Sequence, residues 1–284
     1  MKFCLQTTLF ALLTAAPVCA SVLAVGESWS ALEDFQLSDA NGTGTNGLSN
    51  TGTNGNTFDV NSQGGKFVTN GSGLAVTSGD AGGWTRFFPG NGSTGNDGQE
   101  DRYATSYGTG KFRIEFVLGG YDFTNHAVAV NGQDEFELNL RDGSNTVIAG
   151  LRLRIKDSNG DGVADQFQTH HLGVNGNKYS GNLGVDSSAG TNISSMAIEF
   201  DFDNDTIFYE RNGNMVAGTG VSGNDLGAFA ANNFDQLTIG TEGTWNTAGT
   251  FLNTDSFTLY TAVPEPSGML LGMMGLVGLL HRRR

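Results

Sequence analysis

The sequence predicts an all-β protein, folded as a two-sheet antiparallel jelly-roll sandwich. The chain contains 43 glycines and only 4 prolines, a composition that indicates many turns and few helices. Apolar and polar residues alternate along most of its length, as in strands that bury one face. Helical periodicity is confined to the two chain ends, so the sandwich is expected to occupy the region between them.

The alternation is clearest at residues 111–118, where Phe112, Ile114 and Phe116 share one face and Arg113 lies on the other. Because successive side chains of a strand point to opposite faces, this pattern predicts a half-buried strand. The same pattern predicts strands at residues 135–141, 150–156, 196–202, 235–239 and 256–260.

Two local signals predict how some of the strands are connected and paired. Asn212-Gly213 separates apolar runs at residues 207–211 and 215–217, which is a strong hairpin signal. Trp29, Leu32 and Phe35 indicate a first strand, which is expected to pair with the distant C-terminal strand.

Residues 39–56 differ from the rest because they are rich in Gly, Asn and Thr and almost free of apolar side chains. The pattern Thr43-Gly44-Thr45-Asn46-Gly47 recurs from Thr51 to Gly55. Such a tract buries little apolar surface, so it is predicted to be a long flexible surface loop.

The N-terminal residues have the order of parts expected for a secretory signal peptide. Lys2 supplies the positive start, residues 5–18 the apolar segment and the residues before Ala20 a small-residue cleavage site. We therefore predict a signal helix at residues 1–20 and a mature chain that begins near Ser21. A lipoprotein signal centred on Cys19 fits less well, because Ala16-Pro17-Val18 is a poor match to the sequence that a lipoprotein peptidase favours.

Both cysteines, Cys4 and Cys19, fall in the segment that is predicted to be removed. The secreted product would then contain no disulfide and would depend on its core. The net charge of −14 argues against binding to nucleic acid or to anionic membrane surfaces. An acidic surface is instead suited to an environment that contains divalent cations.

The C-terminal residues 263–284 combine three elements in a fixed order. Pro264-Glu265-Pro266 is followed by an apolar run at residues 268–280 and by Arg282-Arg283-Arg284. This order resembles the PEP-CTERM sorting tail of Gram-negative bacteria. The resemblance implies export, recognition by an exosortase, cleavage near Pro-Glu-Pro and release to the cell surface or the extracellular matrix.

The physical properties of this tail agree with a transient anchor that forms a short hydrophobic helix. The apolar run is shorter than the roughly 20 residues that span a bilayer comfortably. The arginines would hold that end in the cytoplasm. The alternative, a short helix of a globular core, is less favoured because such helices seldom end a chain in three arginines.

The region between the two ends, residues 21–262, is expected to form one domain. Within it, residues 196–216 resemble the strand, turn and Asn-Gly hairpin of laminin G-like and concanavalin A-like domains. Residues 234–240 and 255–260 are similar to the closing strands of that jelly roll. This resemblance implies binding to carbohydrate or protein, although the fold alone does not decide between them.

Residues 157–165 resemble the first nine positions of an EF-hand calcium loop. Gly162 stands where the loop turns sharply, and oxygen ligands are expected from Asp157, Asn159, Asp161, the Val163 carbonyl and Asp165. Gln168 stands where the bidentate glutamate would be, and strands are predicted on both sides. We predict a structural Ca²⁺ site between two strands; the alternative is an Asx-rich turn without metal.

An enzymatic function would depend on Glu199, Asp201 and Asp203, which alternation places on one face of a strand. Laminarinase-type glycoside hydrolases use a Glu-x-Asp-x-Glu strand, in which a nucleophile and a general acid lie about 5–5.5 Å apart. Here Asp203 is one methylene short at the last position. The favoured interpretation is an acidic solvent-exposed face, and the protein is predicted not to be an enzyme.

Other candidate residues are less specific. His170 and His171 point to opposite faces of a strand, so they make a poor chelate and are predicted to be surface histidines. Arg152, Arg154 and Lys156 form a basic stripe that is suited to acidic polysaccharide, or that prevents an exposed strand from pairing. Trp84 and Trp245 are candidate glycan-stacking platforms or core residues.

These observations together predict an exported protein of a Gram-negative bacterium, anchored briefly in the inner membrane through its tail and then transferred to the surface or matrix. Binding of exopolysaccharide or another glycan by a lectin-like sandwich is the expected role. A structural matrix protein without a specific ligand is the alternative, followed by the hydrolase.

Overall fold

The structure of the protein, a computed structural model, describes residues 21–36, 46–51, 57–62, 67–69, 74–76, 85–90, 107–142, 144, 146–190, 192–229, 231, 233–234, 236–243 and 251–265. The predicted signal peptide, the C-terminal apolar run and its arginines lie outside these residues. The helices predicted at the two chain ends therefore lie outside them too. In the described part of the chain, no helix is long and apolar enough to cross a membrane.

The described elements are strands, numbered here in chain order. The first eight are β1 (Glu27–Gln36), β2 (Asn46–Thr51), β3 (Thr57–Ser62), β4 (Phe67–Thr69), β5 (Leu74–Val76), β6 (Thr85–Gly90), β7 (Lys111–Asp122) and β8 (Gln133–Arg141). The second eight are β9 (Val147–Lys156), β10 (Gln166–Gly173), β11 (Gly176–Leu183), β12 (Ser195–Asp201), β13 (Thr206–Arg211), β14 (Asn214–Gly218), β15 (Gln236–Glu242) and β16 (Phe251–Pro264).

Two large antiparallel sheets form the sandwich that the sequence predicts. One has eight strands in the order β14-β13-β12-β7-β16-β5-β4, with β1 also paired to β16. The other has five strands in the order β11-β10-β9-β8-β15. This architecture is consistent with a concanavalin A-like sandwich. A third sheet, β2-β3-β6, was not predicted.

The strand registers confirm the local predictions. The Asn212-Gly213 turn joins β13 to β14, and Asn212 adopts the positive φ of 51° that such a turn requires. β1 pairs with β16 from Glu27 opposite Pro264 to Gln36 opposite Ser256. The first strand therefore lies beside the last, as its apolar pattern predicts.

The prediction of a loop at residues 39–56 was wrong for part of that tract. Residues Asn46–Thr51 form β2, which pairs with β3 in the small sheet. The prediction considered only how little apolar surface the tract buries. Backbone hydrogen bonds to a neighbouring strand do not depend on side-chain polarity, so they form a strand even in a polar sequence.

The core lies between the two large sheets and is rich in aromatic residues. Phe200 is at the centre of one cluster, with ring centroids 5.3 Å from Phe202, 5.2 Å from Phe234 and 5.5 Å from Phe229. Complete burial of such a ring contributes roughly 1.5–3 kcal/mol. This cluster contributes to the core on which a domain that is predicted to lack disulfides depends.

Tyr209 links the two sheets through hydrogen bonds. Its hydroxyl donates to the Leu172 carbonyl at 2.8 Å and accepts from the Gly150 amide at 3.1 Å. Burial raises the pKa of this phenol above its ordinary value. The phenol therefore stays protonated and fixes the distance between β13 and the strands opposite.

Candidate functional site

The outer face of the five-stranded sheet carries a group of polar and charged side chains. The strand registers place Glu137 beside Arg152, Arg152 beside His170 and His170 beside Tyr179, on four consecutive strands. Because paired residues of neighbouring strands point to the same side, these four side chains form one row. We call this surface the polar face; it comprises Glu135, Glu137, Asn139, Arg152, Arg154, Lys156, Gln168, His170 and Tyr179.

Ion pairs between β8 and β9 organise the polar face. Arg152 Nε lies 2.7 Å from Glu137 Oε1, and Arg154 Nε lies 2.5 Å from Glu135 Oε1. The two glutamates are buried, whereas the arginine side chains are 26% and 19% exposed. The charge that reaches solvent from these pairs is therefore positive.

His170 lies in the middle of this arrangement. Its Nε2 is 3.2 Å from Gln168 Oε1, its Nδ1 is 3.4 Å from Arg154 Nη1, and its ring centroid is 5.4 Å from that of Tyr179. Burial, together with the positive charge of Arg154, lowers the pKa of His170 to about 4. The imidazole is therefore neutral at pH 7, so it has one nitrogen that can donate a hydrogen bond and one that can accept a hydrogen bond.

A pocket with a mixed polar and apolar lining lies at the other end of the same face. It has a volume of about 300 Å³ and is lined by Asp142, Thr146, Ile148, Leu172, Val174 and Ala231, among others. Leu172 pairs with Gly150, which pairs in turn with Asn139. The polar face therefore runs from charged residues to a pocket whose lining includes apolar side chains.

Gly150 connects the two ends of this surface. A Cβ atom at this position would lie 2.6 Å from Asn139 Oδ1 and 3.1 Å from the Leu138 carbonyl oxygen. Asn139 itself is buried. Residue 150 must therefore be a glycine, because any side chain there would collide with the side-chain amide of Asn139 on the neighbouring strand.

The predicted basic stripe is present, but Arg152 and Arg154 are ion-paired with Glu137 and Glu135, which the sequence analysis did not select. The prediction of two surface histidines was wrong. His170 and His171 do point to opposite faces, but both are buried, and His171 packs against Tyr209 with ring centroids 4.9 Å apart. Burial, Arg211 and His170 lower the pKa of His171 to about 3.

The prediction of an acidic solvent-exposed face at Glu199 and Asp201 was also wrong. Glu199 is 1% exposed, because Arg113 and the segment at residues 21–22 cover it. Asp201 accepts hydrogen bonds from the Asp203 amide at 2.9 Å and the Asn204 amide at 3.1 Å. Asp203 accepts one from the Gly110 amide at 3.2 Å. All three carboxylates thus have structural partners.

The loop at residues 157–165 connects β9 to β10, between strands as predicted. Asp157 accepts backbone N–H groups from Asn131, Gly160 and Gly162, and these bonds lower its pKa even though burial acts to raise it. Gly162 has a φ angle of 82°, a conformation that glycine adopts without strain, so glycine is the expected residue at the sharp turn of this loop.

The other predicted ligands of this loop are also hydrogen-bonded within it. Asp165 accepts from the Ser158 amide at 2.9 Å, Asp161 Oδ1 accepts from the Val163 amide at 2.8 Å, and Asn159 Oδ1 accepts from the Asp161 amide at 2.9 Å. Among the described residues, no group of three His, Cys, Asp or Glu side chains is placed to hold a metal ion. The donor set fits Ca²⁺ in type, and calcium stays a prediction.

The remaining predicted residues divide between described and undescribed parts of the chain. Trp84, Trp245, Pro266 and the arginines at 282–284 lie outside the described residues. Pro264 ends β16, and the Glu265 amide donates to the Gly26 carbonyl at 2.7 Å. The sorting tail therefore begins directly at the edge of the folded domain.

Residues 262–284 match the family described as the PEP-CTERM protein-sorting motif. The chain carries a PEP-CTERM sorting motif. This motif indicates a secreted protein that is processed by an exosortase and is associated with the membrane before processing. A search of curated proteins found no match.

Several solved structures are similar to the domain. The CBM2 module of the Lactobacillus casei BL23 phage J-1 evolved Dit is 17% identical over 71% of this chain and 81% of its own, with a TM-score of 0.43. Crh5 transglycosylase is 12% identical over 85% of this chain and 87% of its own, with a TM-score of 0.45. The carbohydrate recognition domain of Emp46p is 9% identical over 72% of this chain and 87% of its own, with a TM-score of 0.39.

Proposed function

We propose that this protein is an exported, non-enzymatic glycan-binding protein of a Gram-negative bacterial surface or matrix, and that the polar face is its binding surface. The observation that carries the proposal is the row of Glu137, Arg152, His170 and Tyr179 across four neighbouring strands. It combines guanidinium donors, a neutral imidazole and an aromatic ring, and the pocket lined by Ile148, Leu172 and Val174 lies on the same face. Sugar-binding sites use this combination of oriented polar groups and apolar surface.

The charges on the polar face favour an acidic exopolysaccharide as the ligand. The carboxylates of Glu135 and Glu137 are buried beneath the arginines, and Lys156 adds a further cation to the same strand face. Guanidinium groups bind carboxylates and sulfates with two parallel hydrogen bonds. The strongly acidic remainder of the protein would repel polyanions elsewhere, which confines binding to this face.

The sorting motif supports the location of this function. Export by a signal peptide at residues 1–20 and transient anchoring by residues 263–284 would deliver the domain beyond the inner membrane. Contact with the membrane would be restricted to the C-terminal segment before processing, with an exosortase as the transient partner. An exopolysaccharide is the ligand that such a protein would meet after release.

The contacts of Glu199, Asp201 and Asp203 support a non-enzymatic function. In the laminarinase-type alternative, a nucleophile and a general acid need free carboxyl groups that face a substrate. In this chain Glu199 is buried against Arg113, and Asp201 anchors the turn that follows β12. A purely structural matrix protein remains the second candidate, since its acidic domain needs no ligand.

The test is binding of the exported chain to a panel of soluble acidic and neutral polysaccharides, with released reducing ends measured in parallel. We expect retention by acidic polysaccharide without cleavage. Tyr179→Ala and Lys156→Gln should weaken retention, because both side chains can be removed without leaving a buried charge. Tyr260→Ala, on the strand β16 of the other sheet, is the matched control and should bind normally.

Each other outcome identifies a different function. Absence of retention on the whole panel would favour the structural matrix protein. Release of reducing ends that is lost in Glu199→Gln would establish the hydrolase. Equal loss of binding in Tyr179→Ala and Tyr260→Ala would show that the polar face is not the binding surface.

A further inference from the structure

Residues 21–22 lie against a cluster of charged side chains on the outer face of the eight-stranded sheet. The Ser21 hydroxyl donates to Glu199 Oε2 at 2.7 Å, and the Val22 amide donates to the same oxygen at 3.2 Å. The Leu23 amide donates to the Ser21 hydroxyl at 3.2 Å, which fixes the turn of this segment. Val22 is buried. The first described residues are therefore part of the folded domain.

The cluster under this segment has more negative than positive charge. Arg113 Nη1 lies 2.7 Å from both Glu199 Oε1 and Glu210 Oε2, and its Nη2 lies 3.4 Å from Glu115 Oε1. Three carboxylates thus share one guanidinium. Burial raises the pKa of Glu210 and the neighbouring Glu199 and Glu115 raise it further, although Arg113 opposes them. A second cation would relieve this repulsion.

We propose that the missing cation is the N-terminus that signal-peptide cleavage creates. Hydrolysis of the Ala20–Ser21 peptide bond by a signal peptidase consumes one water molecule, leaving a carboxylate on Ala20 and an ammonium group on Ser21. The Ser21 nitrogen belongs to the residue whose hydroxyl already binds Glu199. The new ammonium forms at the Glu199–Arg113 cluster, so cleavage completes an electrostatic site of the folded domain.

In the cleaved protein, each of the two carboxylate oxygens of Glu199 would lie beside a different cation. Oε1 binds Arg113, and Oε2 faces residues 21–22. A free ammonium group bound to a buried carboxylate has its pKa raised above the ordinary 7.7–8.0 or so of an N-terminus. A raised pKa adds stability that is fully present below about pH 7.7 and is lost as the pH rises through the folded value.

The test compares two forms of the chain from Ser21 to Arg284, held in the same detergent. One has a free Ser21 amine and the other is acetylated at that nitrogen. We expect the free form to melt roughly 2–4 °C higher at pH 7, with the difference vanishing above about pH 10. The N-terminal residue of the protein exported by its native host should be Ser21.

A variant separates this site from a general effect of the terminal charge. In Glu199→Gln the free and acetylated forms should have the same melting temperature. In Asp203→Asn the difference between their melting temperatures should persist. If Glu199→Gln fails to fold, the pKa of the Ser21 amine, measured by NMR in the unmutated chain, decides. A pKa of about 8 or lower, equal melting of the free and acetylated forms, or an exported N-terminus other than Ser21 would overturn the proposal.

Discussion

The outer faces of the two large sheets carry similar charged residues in opposite arrangements. On the five-stranded sheet, glutamates lie buried beneath arginines that reach solvent. On the eight-stranded sheet, one arginine lies among three glutamates, and residues 21–22 cover part of the cluster. The first arrangement presents cations to solvent, whereas the second is covered in part by the chain itself. Strand alternation alone therefore does not distinguish a binding surface from a structural one.

The largest expected difference between the two faces follows removal of the arginine. Arg113→Met leaves the buried Glu199 and the half-buried Glu210 without their guanidinium, and loss of a partner from a buried ion pair typically costs about 3–5 kcal/mol. Arg152→Met should cost less, because the Asn139 amide still donates to Glu137 at 3.2 Å. Denaturant unfolding of both variants measures the difference. A larger loss in Arg152→Met would contradict the assignment of the eight-stranded face as the structural one.

Acid should destabilise the fold through the histidines of β10. His171 has a pKa of about 3 in the folded state against about 6.5 when unfolded, so the unfolded chain binds more protons between these values. Stability is therefore lost as the pH falls below about 6.5, by about 2–3 kcal/mol at pH 4.5. Thermal melting across pH 4–7 measures this effect.

His171→Leu is the matched variant for the acid effect, since it keeps the volume and the apolar contact with Tyr209. We expect its stability to depend less on pH between 4.5 and 6.5 than that of the unmutated protein. His170 also has a lowered pKa, so some dependence should persist. An unchanged pH profile in His171→Leu would show that carboxylates, and not this imidazole, cause the acid sensitivity.

Removal of an aromatic ring from the polar face should affect binding and leave stability almost unchanged. Tyr179 is 41% exposed on β11, so Tyr179→Ala creates no cavity in the core. Loss of a stacking ring worth roughly 1 kcal/mol would weaken glycan binding about fivefold. Isothermal titration with the retained polysaccharide measures this change. A melting temperature lowered by as much as in Arg152→Met would assign Tyr179 a structural role instead.

Calcium is expected to have the smallest effect. We propose that Asp157, Asn159, Asp161, the Val163 carbonyl and Asp165 bind Ca²⁺ in exchange for some of their loop hydrogen bonds. An ion at a concentration equal to its dissociation constant adds about 0.4 kcal/mol of stability. A Ca²⁺ titration followed by thermal melting should show this increase, and Asp161→Asn should reduce it. An unchanged melting temperature in millimolar Ca²⁺ would support the Asx-rich turn without metal.

The sequence predicted those features that depend on neighbouring residues along the chain. Alternation located β7, β8, β9 and β12, and Asn212-Gly213 located a hairpin, because local geometry determines both. Alternation also placed His170 and His171 on opposite faces correctly. Their burial could not be read from β10 alone, since it depends on the neighbouring strands and on the opposite sheet.

The candidate site required information that only the strand order provides. Arg152 and Arg154 were recognised as a basic stripe, but Glu135 and Glu137 become their partners through the register of β8 with β9. Their own alternation within residues 135–141 was the signal that could have identified them. The prediction that Glu199 is exposed to solvent was wrong, because residues 21–22, which are distant in sequence, cover its side chain.

The pairing of β1 with β16 also determines when the domain can be completed during its synthesis. β16 is the last strand to be made, yet it lies inside the eight-stranded sheet, between β7 and β5 and paired also with β1. Loop closure between β1 and β16 therefore waits until nearly the whole domain has been synthesised. Until then β1 and β7 lack their shared neighbour, so this sheet is the part of the domain whose strand edges stay unpaired longest.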